Sequence, residues 1–141
     1  MASGVCHTDA VVREQFVPVP LPVVLGHEGS GIVERVGSNV STVKPGDHVA
    51  LSFSACGHCE NCLSGHPSTC EMLNDLNFGG VMNDGTKRIH KNDVEFSTFF
   101  GQSSFGTYAV SNERNVVKVD KDVDLRLLGP LGCGKQAAEQ C

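Results

Sequence analysis

At 141 residues the chain is long enough for one domain with a real core and too short for two full ones. Eleven Lys and Arg against sixteen Asp and Glu give a formal charge of −5, an acidic balance that argues against a nucleic-acid partner. No apolar run approaches the ~18 residues of a membrane span, and Met1–Val5 has neither the basic nor the apolar region of a secretion signal.

In chain order, the first chemistry-bearing run is Cys6-His7-Thr8-Asp9. Residues 17–25 then carry Pro18, Pro20 and Pro22 at alternate positions, which forbids a helix and predicts an extended approach to Gly26-His27-Glu28. Ile32–Val36 reads as a strand, Gly37-Ser38-Asn39 as a turn, Val40–Val43 as a returning strand, and Lys44-Pro45-Gly46-Asp47 as a second turn. The next strand, from His48 to Phe53, runs into Cys56. Residues 54–76 have too little apolar periodicity to build a core unaided and read as a lobe organised by metal. Residues 79–95 are polar, with Asp84-Gly85 as a turn, and Phe96, Phe99, Phe100 and Phe105 return the chain to apolar packing. Tyr108–Val110 and Val116–Val119 read as two more strands, and Asp122–Leu128 as one or two helical turns that end at Gly129-Pro130. Short strands joined by Gly and Pro turns predict a mainly β chain, a small antiparallel barrel or sandwich with few short helices.

Cys56, Cys59, Cys62 and Cys70 are spaced C-x2-C-x2-C-x7-C. A C-x2-C unit curls the backbone so that two sulfurs reach one ion, and four thiolates close a tetrahedral zinc site whose work is to fix a loop. Chance proximity or a pair of disulfides is the plain alternative, but four cysteines this close make chance a poor account, and seven cysteines are an odd number for a bridged scaffold. Thiols held by metal suit a reducing compartment, so a cytoplasmic protein is expected. His58 and His66 fall inside the segment and read as solvated. Cys6, His27 and Cys133 are three further soft donors, and three protein ligands with one open place are what a catalytic zinc requires. Each alone has a bland reading as a packed core residue. Their small and polar neighbours, including Gly132 and Gly134 around Cys133, suit a metal better.

Gly4-Val5-Cys6-His7-Thr8-Asp9, Gly26-His27-Glu28-Gly29, Val43-Lys44-Pro45-Gly46-Asp47-His48-Val49, the four-cysteine lobe and Gly132-Cys133-Gly134 occur in that order over nearly the whole chain. Together they resemble the GroES-like catalytic domain of the zinc-dependent alcohol dehydrogenases, medium-chain dehydrogenase/reductases. Val11, the Gly-His-Glu-Gly-Ser-Gly run and the segment from Asp122 to Cys133 resemble most the aryl- or benzyl-alcohol branch. The resemblance implies two zinc ions: a catalytic one on Cys6, His27 and Cys133 and a structural one on Cys56, Cys59, Cys62 and Cys70. It implies oxidation of a primary, aromatic alcohol to an aldehyde with NAD, with zinc acting as a Lewis acid. Thr8 would begin a proton relay, Asp9 and Glu28 would lie behind the ligands with Asp9 orienting His27, and His7 would face the cofactor pyrophosphate.

The sequence also departs from that pattern. Only five residues precede Cys6, so an N-terminally short barrel is expected, and the chain ends before the Rossmann domain that holds the cofactor. On that reading residues 1–141 are one zinc-binding domain, with 54–76 its structural lobe, and the chain alone does not turn over. Gly132-x-Gly134-x-x-Ala137 imitates a dinucleotide fingerprint but lacks the surrounding βαβ unit. Val11 stands where many relatives carry a relay histidine. The competing reading is a zinc-stabilised structural or binding module without a catalytic zinc.

Overall fold

Alternation along His48-Val49-Ala50-Leu51 sends Val49 and Leu51 inward, and that strand becomes the middle of the frame. The computed structural model describes residues 1–133; Gly134, the fingerprint-like run as far as Ala137, and the tail to Cys141 lie outside the described residues. In chain order the elements are β1 (Ala2–Gly4), α1 (His7–Arg13), β2 (Glu28–Ile32), β3 (His48–Leu51), α2 (Glu60–Leu63), α3 (Leu73–Phe78), β4 (Ile89–Lys91), β5 (Val94–Phe96), β6 (Val116–Val119) and α4 (Leu125–Leu128), with short 3-10 segments between. An antiparallel sheet in the order β1-β2-β3-β6 carries the fold, and β4 and β5 form a separate hairpin. The expected antiparallel frame with few short helices is therefore present.

Several local expectations change. The strand predicted at Ile32–Val36 lies earlier, at Glu28–Ile32, because Glu28 to Gly31 are buried while Ile32 is already exposed. Burial between neighbours outweighs the β preference of Ile32, Val33 and Val36. Val33 instead grips the Lys44–Asp47 turn, donating to Asp47 O at 2.9 Å and accepting from Gly46 N–H at 2.9 Å. Val40–Val43 form no strand, since the Ser41 and Thr42 N–H groups both donate to Glu113 Oε1 at 2.7 Å and leave Val40 and Val43 to pack inward. Tyr108–Val110 form none either; Tyr108 and Val110 face solvent while Ala109 packs inward. The strand from His48 stops at Leu51, and Val116–Val119 pair as expected.

The pattern of the sequence did not announce β1, α1, α2, α3 or the β4–β5 hairpin. Helix α1 begins at Cys6, whose N–H donates to Asp9 Oδ2 at 3.1 Å, and α3 forms beside the cysteine lobe. The β4–β5 hairpin turns through Asn92 and Asp93, both at positive φ, which is the chemistry of a tight two-residue turn. Asp124 caps α4 by accepting from Arg126 N–H at 2.9 Å, so the predicted helical turn is real but short. The proline segment forms no helix, bends at Leu21-Pro22 and joins the hairpin side through the Val23–Ser97 bridge, with Val24 N–H to Ser97 O at 3.1 Å.

Two apolar clusters flank the sheet. Val12, Val19 and Phe99 are fully buried with Val17, Val23, Leu25, Phe78 and Phe100 around them; Val43, Val49 and Leu51 pack with Val33, Val40, Ala109 and Val116. Asp47 closes its own turn by accepting from Lys44 N–H at 3.0 Å, and meets Lys118 Nζ on β6 at 2.9 Å. These partners, Lys118 foremost, hold its carboxyl below the ordinary carboxylate range. A depressed carboxylate contributes stability above its unfolded value and loses it as pH falls through the folded one. Asp47→Asn is accordingly expected to melt earlier than the parent at neutral pH, with the gap narrowing as pH drops below the carboxylate range; a gap independent of pH in thermal melts would overturn this.

Candidate metal centres

The first centre forms where three separate pieces of chain converge. Cys6 stands at the start of α1, His27 immediately before β2, and Cys133 immediately after the 3-10 segment Gly129–Gly132. One donor atom each from Cys6, His27, Glu28 and Cys133 lie within 4.8 Å of one another, and the Cys6 and Cys133 sulfurs are 3.8 Å apart across 127 residues of sequence. Close approach of the backbone permits this: a Cβ at Gly132 would lie 2.7 Å from Leu51 O, so only glycine lets the segment seat against β3.

Asp9 organises one side of the centre. Its Oδ2 receives the Cys6 N–H at 3.1 Å and lies 3.2 Å from His27 Nδ1, while its Oδ1 receives the Gly26 N–H at 3.0 Å. Burial raises the Asp9 pKa, but the His27 ring and these N–H groups outweigh it and hold the carboxyl below its usual range. Burial likewise lowers the His27 pKa and is outweighed by the hydrogen bond and charge of Asp9, which hold it above the usual value. For Cys6 burial acts upward, and the N–H and hydroxyl of Thr8 with the Cys133 thiol bring the net shift down. Cys133 is pushed up to about 11 by burial, by Cys6 and by the nearby carboxylates of Glu28 and Asp9. The Thr8 hydroxyl lies 3.7 Å from Cys6 Sγ, and His7, on the first turn of α1, is exposed.

The second centre is the four-cysteine lobe. Cys56, Cys59, Cys62 and Cys70 bring their sulfurs within 4.8 Å of one another, with Cys70 buried and the others half-buried. Backbone N–H groups point at sulfur: Cys59 and His58 at Cys56 Sγ (3.3 and 3.5 Å) and Cys56 at Cys70 Sγ (3.4 Å). The His58 N–H leads the groups that draw the Cys56 thiol down to about 6, whereas burial and three neighbouring thiols push Cys62 up to about 12. Such a spread is what one small volume imposes on four acids, and a divalent cation relieves it by letting all of them ionise. His58 and His66 lie outside the donor group, as expected. The Arg114 guanidinium lies over Gly57, where an added Cβ would collide with it.

Residues 1–121 match the family model of the alcohol dehydrogenase GroES-like domain. The chain belongs to this family. Among curated relatives, the geraniol dehydrogenase of Castellaniella defragrans is 61% identical over 136 residues, covering 94% of this chain and 36% of the relative. Among solved structures, an alcohol dehydrogenase zinc-binding domain protein from Burkholderia ambifaria superposes with a TM-score of 0.92 at 53% identity, over 96% of this chain and 37% of that one. Benzyl alcohol dehydrogenase from Acinetobacter calcoaceticus superposes at 0.86 with 52% identity, over 96% and 36%. The chain thus spans about a third of the length of the relatives it matches.

The family is zinc-dependent, and this GroES-like domain has donors to suit the ion. Apart from the 3.2 Å approach of Nδ1 to Asp9 Oδ2, neither buried ring nitrogen of His27 has a hydrogen-bond partner among the described residues, and the ring sits in a cluster of two thiols and a carboxylate. A buried imidazole nitrogen left unsatisfied is costly unless it has a ligand role. The sequence reading named the candidate ligands and, through the resemblance, Asp9 beside His27, but not the remaining supports. Gln102, Phe99 and Phe100 gather around His27 and carried no signal beyond apolar packing and a polar residue between glycine and serine.

Proposed function

We propose that this domain is the substrate- and zinc-binding part of an NAD-dependent alcohol dehydrogenase that oxidises primary, aromatic or similarly bulky alcohols to aldehydes in the cytoplasm. The observation that carries the reading is the orphaned, buried His27 Nε2 in the cluster with Cys6 and Cys133. Relatives named for benzyl alcohol and geraniol support an unsaturated primary alcohol as substrate. No helix among the described residues is long and apolar enough to cross a membrane.

In this reading residues 1–141 form one domain with the lobe 54–76 inside it, and Cys6, His27 and Cys133 hold a catalytic zinc while Cys56, Cys59, Cys62 and Cys70 hold a structural one. When bound, the catalytic ion supplies Lewis acidity that favours loss of the alcohol proton, and NAD supplies the hydride acceptor. With Nδ1 at 3.2 Å from Asp9 Oδ2, the His27 proton would sit on Nδ1 and leave the Nε2 lone pair to the metal. The Thr8 hydroxyl, beside Cys6, would accept the alcohol proton while passing its own to water or the cofactor ribose. Val11 lies one turn on along α1, on the same face as Thr8, and gives an apolar wall where a relay base would otherwise stand. Glu28, expected behind the ligands, instead brings a carboxylate oxygen into the donor cluster itself, and exposed His7 would meet a pyrophosphate.

Native mass spectrometry of the folded chain tests this. Two zinc ions are expected, one lost selectively in Cys133→Ser and the other in Cys59→Ser. One zinc, indifferent to Cys133→Ser, would overturn the proposal and leave the zinc-stabilised structural module.

A further inference from the structure

We infer that Gln102 is a positioning residue for the catalytic metal centre, holding His27 and the seat of Cys133 in one piece. The inference rests on the reading of Cys6, His27 and Cys133 as ligands.

Strands β2 and β3 pair from Ser30 opposite Ala50 to Ile32 opposite His48, and beyond that register their ends separate. His27 lies just outside β2 and Ser52 just outside β3, so the ladder leaves both carbonyls to find other donors. Gln102, 1% exposed, fills the gap: its Nε2 donates to His27 O at 3.0 Å and to Ser52 O at 3.1 Å, and its Oε1 accepts from Gly29 N–H at 3.2 Å. One side-chain amide thus replaces the missing rung between the strands. The same gap receives the segment that presents Cys133, since a Cβ at Gly132 would lie 2.7 Å from Leu51 O and 3.7 Å from His27 O.

The loop that carries Gln102 is itself shaped for this task. Phe100, Gly101 and Ser103 all adopt left-handed backbone, at φ of 53°, 58° and 48°. For Phe100 and Ser103 that conformation is unfavourable, and it persists only where the surroundings compensate. The strained turn places Phe99 and Phe100 on the His27 ring, at 5.5 and 4.8 Å between centroids, and Gln102 on its backbone. Ser104 N–H adds a hydrogen bond to Gly26 O at 2.9 Å. Asp9 ties Cys6 to His27, and Gln102 ties His27 to the strand end against which Cys133 is seated.

Zinc release to a chromogenic chelator, followed on the full chain, is the test. Gln102→Met keeps side-chain length without hydrogen bonds, and Gln102→Glu keeps the acceptor for Gly29 but loses both donors; the second decides should the first not fold. Asn77→Leu is the matched control, because Asn77 is equally buried and bonds Ser54 and Leu73 away from His27. Each Gln102 variant should release the zinc that depends on Cys133 about tenfold or more faster than the parent, as for other groups that orient metal ligands. The lobe zinc should keep its rate. Cobalt substituted at the Cys133-dependent site should show a shifted ligand-field band in the Gln102 variants only. An unchanged release rate and band, or an equal effect of Asn77→Leu at the Cys133-dependent site, overturns the role of Gln102. A parent that holds no Cys133-dependent zinc overturns the proposed function instead.

Discussion

On the proposal that Cys56, Cys59, Cys62 and Cys70 hold zinc, stripping the metal is expected to unfold the lobe while leaving the β1-β2-β3-β6 sheet in place. The lobe has almost no apolar support of its own: Leu63 is 74% exposed, Met72 is 42% exposed, and the one fully buried member of the donor set is Cys70. Its helices are single turns, Glu60–Leu63 and Pro67–Thr69, far below the length at which a helix stands alone. Structural zinc contributes ~10–16 kcal/mol in small metal-organised folds, far more than these turns can supply. The Asn77 bonds to the Ser54 N–H and C=O would still tether the lobe to the rest of the fold after chelation. Limited proteolysis with and without chelator checks this, with new cleavage expected between Gly57 and Thr69. Equal resistance in both states would show that the lobe is held by something other than metal.

Phe99→Ala is expected to destabilise the fold by about 3–5 kcal/mol, the cost of emptying a large aromatic site that cannot collapse. Phe99 is fully buried and joins α1 through Val12, the proline segment through Val19, and α3 through Phe78 at 5.8 Å. Against a total stability of ~5–15 kcal/mol for a small domain, such a loss is severe. It also removes the edge-on contact with the His27 ring, so weaker zinc retention at the Cys133-dependent site should accompany it. Phe16→Ala is the contrast: Phe16 is 83% exposed, and its removal should stay within ~0.5 kcal/mol. Denaturant melts of the two variants decide the matter, and similar losses from both would mean that the core is centred elsewhere.

The chain's legible features were those where one side chain announces its chemistry. The lobe could be read because its four donors lie within fifteen residues, and the proline segment because Pro18, Pro20 and Pro22 exclude a helix whatever surrounds them. Strand positions were less legible. Ile32–Val36 carried the stronger β preference, yet Glu28-Gly29-Ser30-Gly31 took the ladder, since burial between β1 and β3 counts for more than propensity. Helix α1 hid behind a cysteine cap, and its signal was the Asp9 carboxylate three residues on, returning to the Cys6 N–H.

By itself, then, the sequence determined which atoms are available as metal donors and what family they belong to, because sulfur and imidazole chemistry travels with the residue. Tertiary structure decided how the distant donors meet. Cys6 and Cys133 stand 127 residues apart and come within 3.8 Å only because the segment before Cys133 fits where β2 and β3 part. Gln102 belongs to the same level of organisation. An amide or a carboxylate is an ordinary polar residue until burial deprives it of water, and only the fold decides which N–H and C=O groups replace that water.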